Sequence, residues 1–302
     1  MSLNQLERTR ALELPSREAM LNRDLSVQQF WDNNKNLLSD AWAEWESETE
    51  KQLPLNSSLL DENLHKAVME AWKDPSKELA VKELLQEVAP GVYQLQLFNP
   101  ERLAVLREYL ENTWNAQIPL RPPYGIALNR RGAMLDKRSE GFLAAPSFQA
   151  FYKELTDTYM RPISRLIFPE IIGNDTQTFG FSIFYQPNTD TSLRPHTDAS
   201  AVTMNVNLNL PGEEFTGSGV DFFDYANGKT TEITFKPGVA MLHRGSVPHA
   251  AKPILSGERT NFVLWLFGER GRLPSSSAQR VEIDAKERWT TPNVKQDEYA
   301  PF

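Results

Sequence analysis

The apolar positions of this chain change their period along its length. As far as about residue 89 they recur with a helical rhythm, and from residue 178 they alternate. Residues 17–38 set Leu21, Leu25, Phe30 and Leu37 loosely along one helical face. The stretch "SLLDENLHKAVMEAW" is more regular. Ser58 and Asp61 read as a capping box, and Leu60, Leu64, Val68 and Trp72 recur every four residues. His65 falls beside Lys66 on this helix and is expected at the surface. Asp74-Pro75 predicts another helix as far as Val88, with Val81, Leu84, Leu85 and Val88 on its buried side. "VYQLQLF" alternates like a strand. Asn99-Pro100 then opens a helix with Leu103, Leu106, Leu110 and Trp114 on one face. Residues 118–145 are irregular and rich in Pro, Gly and Arg, and 147–166 reads as helix.

Beyond residue 178 the pattern is β. "TFGFSIFYQ" puts Phe179, Phe181, Ile183 and Tyr185 on one face. "AVTMNVNLN" puts Val202, Met204, Val206 and Leu208 on one side, and Thr203, Asn205, Asn207 and Asn209 on the other. Short strands follow near 220–223, 232–235, 239–242 and 260–267, separated by Gly, Pro and Asn turns. Short strands at this spacing suggest an antiparallel barrel or a double sheet.

Composition narrows the classes. The chain has 302 residues, 40% of them apolar, and a formal net charge of −8, which disfavours a nucleic-acid-binding face. It has no cysteine, so a disulfide scaffold, thiolate metal sites and a Cys nucleophile are excluded. The first residues, "MSLNQLERTRALEL", carry charges where a secretory signal needs an apolar run, and no stretch suits a membrane span. The expectation is a cytoplasmic protein that binds neither nucleic acid nor membrane.

The candidate chemistry lies in "SLRPHTDASAVTMNVNLN". His196 and Asp198 stand two residues apart, so on an extended chain both side chains reach the same face. An imidazole nitrogen and a carboxylate oxygen can then share one cation. A third ligand is expected downstream, where His243 and His249 are available. Two imidazoles and one carboxylate on one face of an octahedral metal leave positions open for a cosubstrate and O2, as in non-haem Fe(II) oxygenases. A zinc hydrolase can use the same ligands. Arg259, ten residues after His249, favours the oxygenase. A keto acid bound at a metal needs a cation at its far carboxylate, and arginine supplies a permanently charged fork.

Three motifs in order, "SLRPHTDAS", "LH-x-G" before the distal His and "G-x-R" after it, resemble the catalytic domain of procollagen lysyl hydroxylases. These belong to the prolyl/lysyl-hydroxylase branch of the Fe(II)/2-oxoglutarate oxygenases. The likeness runs over about residues 91–269 and includes "GVYQLQLF" and "FPEI". It implies iron held by His196, Asp198 and His249, with Arg259 on the 5-carboxylate of 2-oxoglutarate. It further implies cosubstrate contacts from Tyr185 and Asn205, and a supporting rather than ligating place for His243. The implied fold is α+β with a mainly β core: a double-stranded β-helix (jelly roll, cupin-like) with packed helices and an N-terminal helical region.

The chain departs from those hydroxylases in having no cysteine and a short helical N-terminal region. The expected division is an N-terminal helical region (1–89), an oxygenase domain (90–269) and a tail packed on the surface (270–302). The expected cofactors are Fe(II), 2-oxoglutarate and O2. The expected reaction oxidises an unactivated C–H bond of an amino acid or amino-acid-derived molecule, by hydroxylation, desaturation or cyclisation. A peptidyl prolyl or lysyl hydroxylase is the rival, and a zinc hydrolase or a non-catalytic binding module are the readings from other classes. Asp198 argues against a halogenase, which needs its position vacant. Arg130, Arg131, Lys137 and Arg138 suggest a lid that recognises a carboxylate, against the alternative of a solvated charge run. Phe30, Trp31, Trp42 and Trp45 are expected in the core or at a homodimer face.

Overall fold

The computed structural model describes residues 4–49, 54–123, 131–188, 192–275, 283–293 and 295–301. Short helices α1 (Gln5–Arg10) and α2 (Arg17–Asn22) precede the long α3 (Leu25–Glu48). α2 stops at Arg23, which turns into the left-handed region at φ 53. α3 therefore starts a new phase. Its buried stripe is Val27, Trp31, Leu38, Ala41, Trp42 and Trp45, whereas Leu21 and Leu25 stay exposed. The tryptophans thus fill this chain's own core. α4 (Glu62–Lys73) is capped by Asp61, whose side chain accepts from Leu64 N; Ser58 lies in the preceding 3-10 turn rather than in the cap.

The helix predicted from Asp74-Pro75 to Val88 forms only in its first part, as a 3-10 turn (Pro75–Lys77) and α5 (Leu79–Lys82). After α5 the chain enters strand β1 (Gln86–Ala89), which pairs with β2 (Val92–Gln96) through a tight turn at Gly91. Pairing to β2 overrides the local helical spacing. α6 (Leu103–Asn115) follows, then α7 (Pro146–Glu154), which runs through a π turn (Leu155–Met160) into α8 (Arg161–Ile167). His65 is not a surface residue. It is half-buried, with Nδ1 2.7 Å from the buried Tyr159 hydroxyl on that π turn.

The β region comprises β3 (Gln177–Tyr185), β4 (Leu193–His196), β5 (Val202–Asn207), β6 (Thr216–Gly217), β7 (Val220–Asp224), β8 (Lys229–Ile233), β9 (Val239–Arg244), β10 (His249–Ala251), β11 (Ile254–Ser256) and β12 (Arg259–Phe267). A short α9 (Ala285–Arg288) lies in the tail. A six-stranded sheet has the order β1-β2-β9-β5-β12-β3, and a four-stranded sheet the order β4-β10-β7-β8; all pairings are antiparallel.

The alternation read from residues 202–209 has a direct structural cause. Val202, Met204 and Val206 pack into the same core as Ala240, Leu242, Phe262, Leu264 and the helices. Thr203, Asn205 and Asn207 turn the other way, level with His243, Met241, Trp265, Val263 and Asn261 on the neighbouring strands. The two sheets face each other, with Val92 and Met241 of the larger packed against Val220, Phe222 and Ile233 of the smaller. Helices therefore cover one side of the six-stranded sheet, and its other side lines the interior.

The segment after residue 131 runs along the edge of β3, with Leu135 N donating to Gly180 O and Ser182 N to Ala133 O. Gly141 (φ 58) holds this segment against α3, because a Cβ there would lie 2.6 Å from the Trp31 ring. Arg138 is not a free lid cation. Its guanidinium pairs with buried Asp136 at 2.8 Å. Arg131 lies over the rings of Trp114 and Phe184 at 5.7 and 5.2 Å. Of the other two predicted lid cations, Lys137 is exposed and Arg130 lies outside the described residues.

Candidate functional site

The smaller sheet carries the candidate ligands. His196 ends β4 and His249 begins β10, and the two residues are directly paired. Their rings lie 4.3 Å apart. Asp198 follows His196 by two residues and reaches between them. Its Oδ1 is 3.5 Å from His196 Nε2, and its Oδ2 is 3.7 Å from His249 Nε2. One ligand atom from each residue fits within 4.8 Å of the others, a span suited to one metal ion.

Backbone contacts fix which nitrogen faces the site. His196 Nδ1 donates to Arg194 O at 2.7 Å, and His249 Nδ1 donates to Val247 O at 3.0 Å. In the neutral ring the lone pair is then on Nε2, pointing at Asp198. Thr203 on β5 holds the carboxylate, with Oγ1 donating to Asp198 Oδ2 at 2.6 Å. The donor set is therefore oriented for a divalent cation. Burial raises the Asp198 pKa, but His196, the nearby His249 and His243 charges and the Thr203 bond outweigh it and hold it at about 2. Burial pushes His249 down. His196 is pushed down by burial but raised on balance by Asp198.

Gly245 permits this geometry. Its carbonyl accepts from Asp198 N at 2.9 Å. A Cβ at Gly245 would lie 2.1 Å from Ser200 O and 2.8 Å from Asp198 O, so only glycine lets the strand pass this close.

His243 sits behind the ligands. It is buried on β9 opposite Thr203, with its ring 4.7 Å from that of His249. Its Nδ1 donates to Arg244 O, and burial lowers its pKa to about 4. Phe222 stacks on His249 at 5.7 Å and completes the packing of that ring.

Arg259 opens β12 opposite Tyr185 of β3. The guanidinium carbon lies 4.3 Å from the Tyr185 ring and 4.7 Å from the Phe235 ring. Arg259 is 1% exposed, and among the described residues no carboxylate pairs with it. Burial lowers its pKa to about 10, which leaves it charged at neutral pH. A buried cation without an acid partner is costly unless an anion joins it. Asn205 lies on the same interior face, and its Oδ1 accepts from Asn261 Nδ2 at 2.6 Å.

Phe179, Phe181 and Trp265 form an aromatic wall, with centroids 5.5 to 6.0 Å apart. Trp265 pairs with Thr203, which places the wall level with the ligands. Phe142 and Ala300 pack against the same cluster. Neither Thr203, Gly245 nor Trp265 was assigned a role from sequence. Parity alone put Thr203 on the Asn205 face, and that was the available signal.

Residues 175–268 match the family model described as the 2OG-Fe(II) oxygenase superfamily. The Xenopus tropicalis protein named 2-oxoglutarate and iron-dependent oxygenase domain-containing protein 2 is 34% identical over 186 residues, covering 58% of this chain and 48% of that protein. The Drosophila melanogaster procollagen-lysine,2-oxoglutarate 5-dioxygenase is 25% identical over 215 residues, covering 66% of this chain and 27% of that protein. The chain therefore spans about half the length of the first relative and about a quarter of the second. A solved prolyl 4-hydroxylase from Phytophthora capsici aligns over 77% of this chain and 72% of its own at 14% identity, with a TM-score of 0.47.

Proposed function

With residues 175–268 forming a 2OG-Fe(II) oxygenase superfamily domain, we propose that the chain is a non-haem Fe(II)/2-oxoglutarate-dependent dioxygenase. Its substrate is an amino acid or an amino-acid-derived small molecule, oxidised at an unactivated C–H bond with release of succinate and CO2. One observation carries this reading. A His/Asp/His group of metal-binding size and a buried Arg259, with no acid partner among the described residues, occur on the sheets of one barrel. A zinc hydrolase uses the first feature and has no need of the second. The facing sheets support a double-stranded β-helix.

When bound, iron supplies O2 activation and hydrogen abstraction, chemistry that no side chain here provides. The chain does the rest. His196 and His249 offer Nε2 lone pairs and Asp198 offers a carboxylate, each held by the bonds given above. Arg259 anchors the distal carboxylate of the cosubstrate and fixes its direction in the barrel. Tyr185 supports that guanidinium, and Asn205 lies on the same face as a further cosubstrate contact. His243 keeps the His249 ring in place without offering a ligand. Phe179, Phe181 and Trp265 keep water from the reacting centre. Whether the product is hydroxylated, desaturated or cyclised depends on how this wall seats the carbon to be attacked.

The small-molecule preference rests on the packing of Phe142 and Ala300 against that wall, which narrows the interior from the chain's own side. A second reading, oxidation of a prolyl or lysyl residue in a polypeptide, draws on the name of the Drosophila relative. Tyr225, 73% exposed on the β7–β8 turn close beyond the His249 pairing, is a natural peptide contact for that reading. Substrate-stimulated succinate formation separates the two. Stimulation by free amino acids and not by proline- or lysine-containing peptides supports the first, and the reverse supports the second.

A further inference from the structure

The segment 295–301 reaches the barrel interior from outside the sheets. Ala300 packs against the cluster that contains Phe179, Phe181, Trp265 and Phe267. Side chains at the end of the barrel tie it there. The buried Gln177 holds the segment by both amide atoms: Oε1 accepts from Asp297 N at 3.1 Å, and Nε2 donates to Lys295 O at 3.4 Å. Arg270 N donates to Asp297 Oδ2 at 2.6 Å. The Tyr299 ring then lies edge-on to Phe267, with centroids 5.9 Å apart.

This end of the barrel is the one left open to a substrate. Gln177 and Phe267 are paired where β3 begins and β12 ends. Two residues back on the same face of β12, Trp265 is level with Thr203, which holds Asp198. Arg259 stands at the opposite end of β12. In the oxygenase reading given above, on which this inference rests, the cosubstrate runs from the metal ligands towards Arg259. The free approach to the metal is then from the Phe267 end, past Ala300.

We propose that the segment 297–300 is part of the substrate site, and that Ala300 is a specificity-determining residue that limits the size of the group admitted to the metal. The wall it joins is aromatic, so the group admitted is a hydrocarbon part of the substrate. A larger side chain at 300 takes up the space that this group needs. The segment is also separable from the fold. Among the described residues it forms no strand pairing, and Lys295, Asp297 and Glu298 border a cavity of about 1120 Å³ that is also lined by Trp31 and Lys35 of α3. Cutting one tie therefore loosens the segment and leaves the sheets intact.

The test uses the full chain loaded with Mn(II) and 2-oxoglutarate. Three hydrocarbon probes of graded size, methanol, isobutanol and cyclohexanol, are added, and the relaxation of their protons by the paramagnetic ion shows which of them reach it. The largest probe admitted should shrink in Ala300→Phe and grow in Tyr299→Ala, which removes the contact with Phe267. Methanol should be relaxed as in the wild type in both, with Mn(II) affinity unchanged. Leu79→Phe, at a 64% exposed position on α5, is the control and should match the wild type. Identical probe profiles in the wild type and both tail variants overturn the proposal. An equal loss for methanol and cyclohexanol in Ala300→Phe also overturns it, because the metal site itself has then moved. If Ala300→Phe does not fold, Tyr299→Ala decides alone: wider admission supports the proposal, and the wild-type profile overturns it. Failure of the Mn(II)-loaded wild type to bind 2-oxoglutarate counts against the oxygenase reading and is a different result.

Discussion

Replacing Gly245 by alanine tests how closely the metal ligands depend on backbone packing. The new Cβ would stand 2.1 Å from Ser200 O and 2.5 Å from Ser200 Oγ. Opening the first contact to an ordinary 3.4 Å requires about 1.3 Å of movement. One side of the contact is β9 and the adjoining turn, which is anchored to Asp198 by the Gly245 carbonyl. The other side is the 198–200 loop that carries the ligand. Ser200 also bonds Thr203 at 2.9 Å, and Thr203 holds the carboxylate at 2.6 Å, so the displacement passes to Asp198. Loss of such supporting contacts costs about 10- to 100-fold in metal affinity. Overpacking of this kind costs about 1–3 kcal/mol of stability. The assay is anaerobic Fe(II) titration against a competing chelator, with melting temperature measured on the same samples. Gly173→Ala is the control, because it strains a residue at φ 87 with nothing within 4 Å and far from the ligands. It should lower stability and leave iron affinity alone. Wild-type iron affinity in folded Gly245→Ala would refute the coupling.

Four further outcomes follow from the same geometry. Arg259→Met removes a buried cation that has no acid partner among the described residues, so the unliganded protein should melt at an equal or higher temperature and gain no stabilisation from 2-oxoglutarate; a fall in melting temperature with retained 2-oxoglutarate binding contradicts this. Divalent metal at about 100 times its Kd should stabilise the wild type by about 2.7 kcal/mol, read by denaturant unfolding, with no such gain in His249→Ala. Thr203→Val should weaken metal binding and keep the fold, since it deletes the donor to Asp198 while preserving shape; calorimetric titration with Mn(II) reads it. Asp157, raised by burial but brought below its ordinary value by Arg161 and Lys153, binds fewer protons folded than unfolded. Its contribution is complete above about pH 3.8 and fades as the pH falls below that value. Asp157→Asn should therefore lower stability at neutral pH, and the gap to wild type should close under acid in a pH series of unfolding curves.

The alternating strands were legible because a sheet covered by helices on one side and lining a cavity on the other imposes period two. That rule put Thr203 and Asn205 on one face and Val202 and Met204 on the other, and the family resemblance, not the period, turned Asn205 towards the cavity. It also gave Phe179 to Tyr185 one face, as the pairing of β3 with β12 now shows. The three-residue β10 and four-residue β4 were not recognisable as strands, since so few positions carry no period. The ligand spacing His196-x-Asp198 was readable in advance of any fold. The close approach at Gly245 was not, because it depends on a loop 45 residues earlier in the chain. Residues 86–88 were misread as helix because a hairpin partner decided their state. Arg138 was misjudged although Asp136 stood two residues before it, and that short-range ion pair was the missed signal. His65 failed for the opposite reason, since its partner Tyr159 lies 94 residues away.

The most direct test is an anaerobic visible spectrum of the full chain with Fe(II), before and after 2-oxoglutarate. A weak charge-transfer band should appear on adding 2-oxoglutarate to the wild type. It should be absent in His249→Ala, and absent in Arg259→Met at limiting 2-oxoglutarate. A folded, iron-loaded wild type that gives no band would contradict the assignment and return the zinc-hydrolase and binding-module readings to consideration.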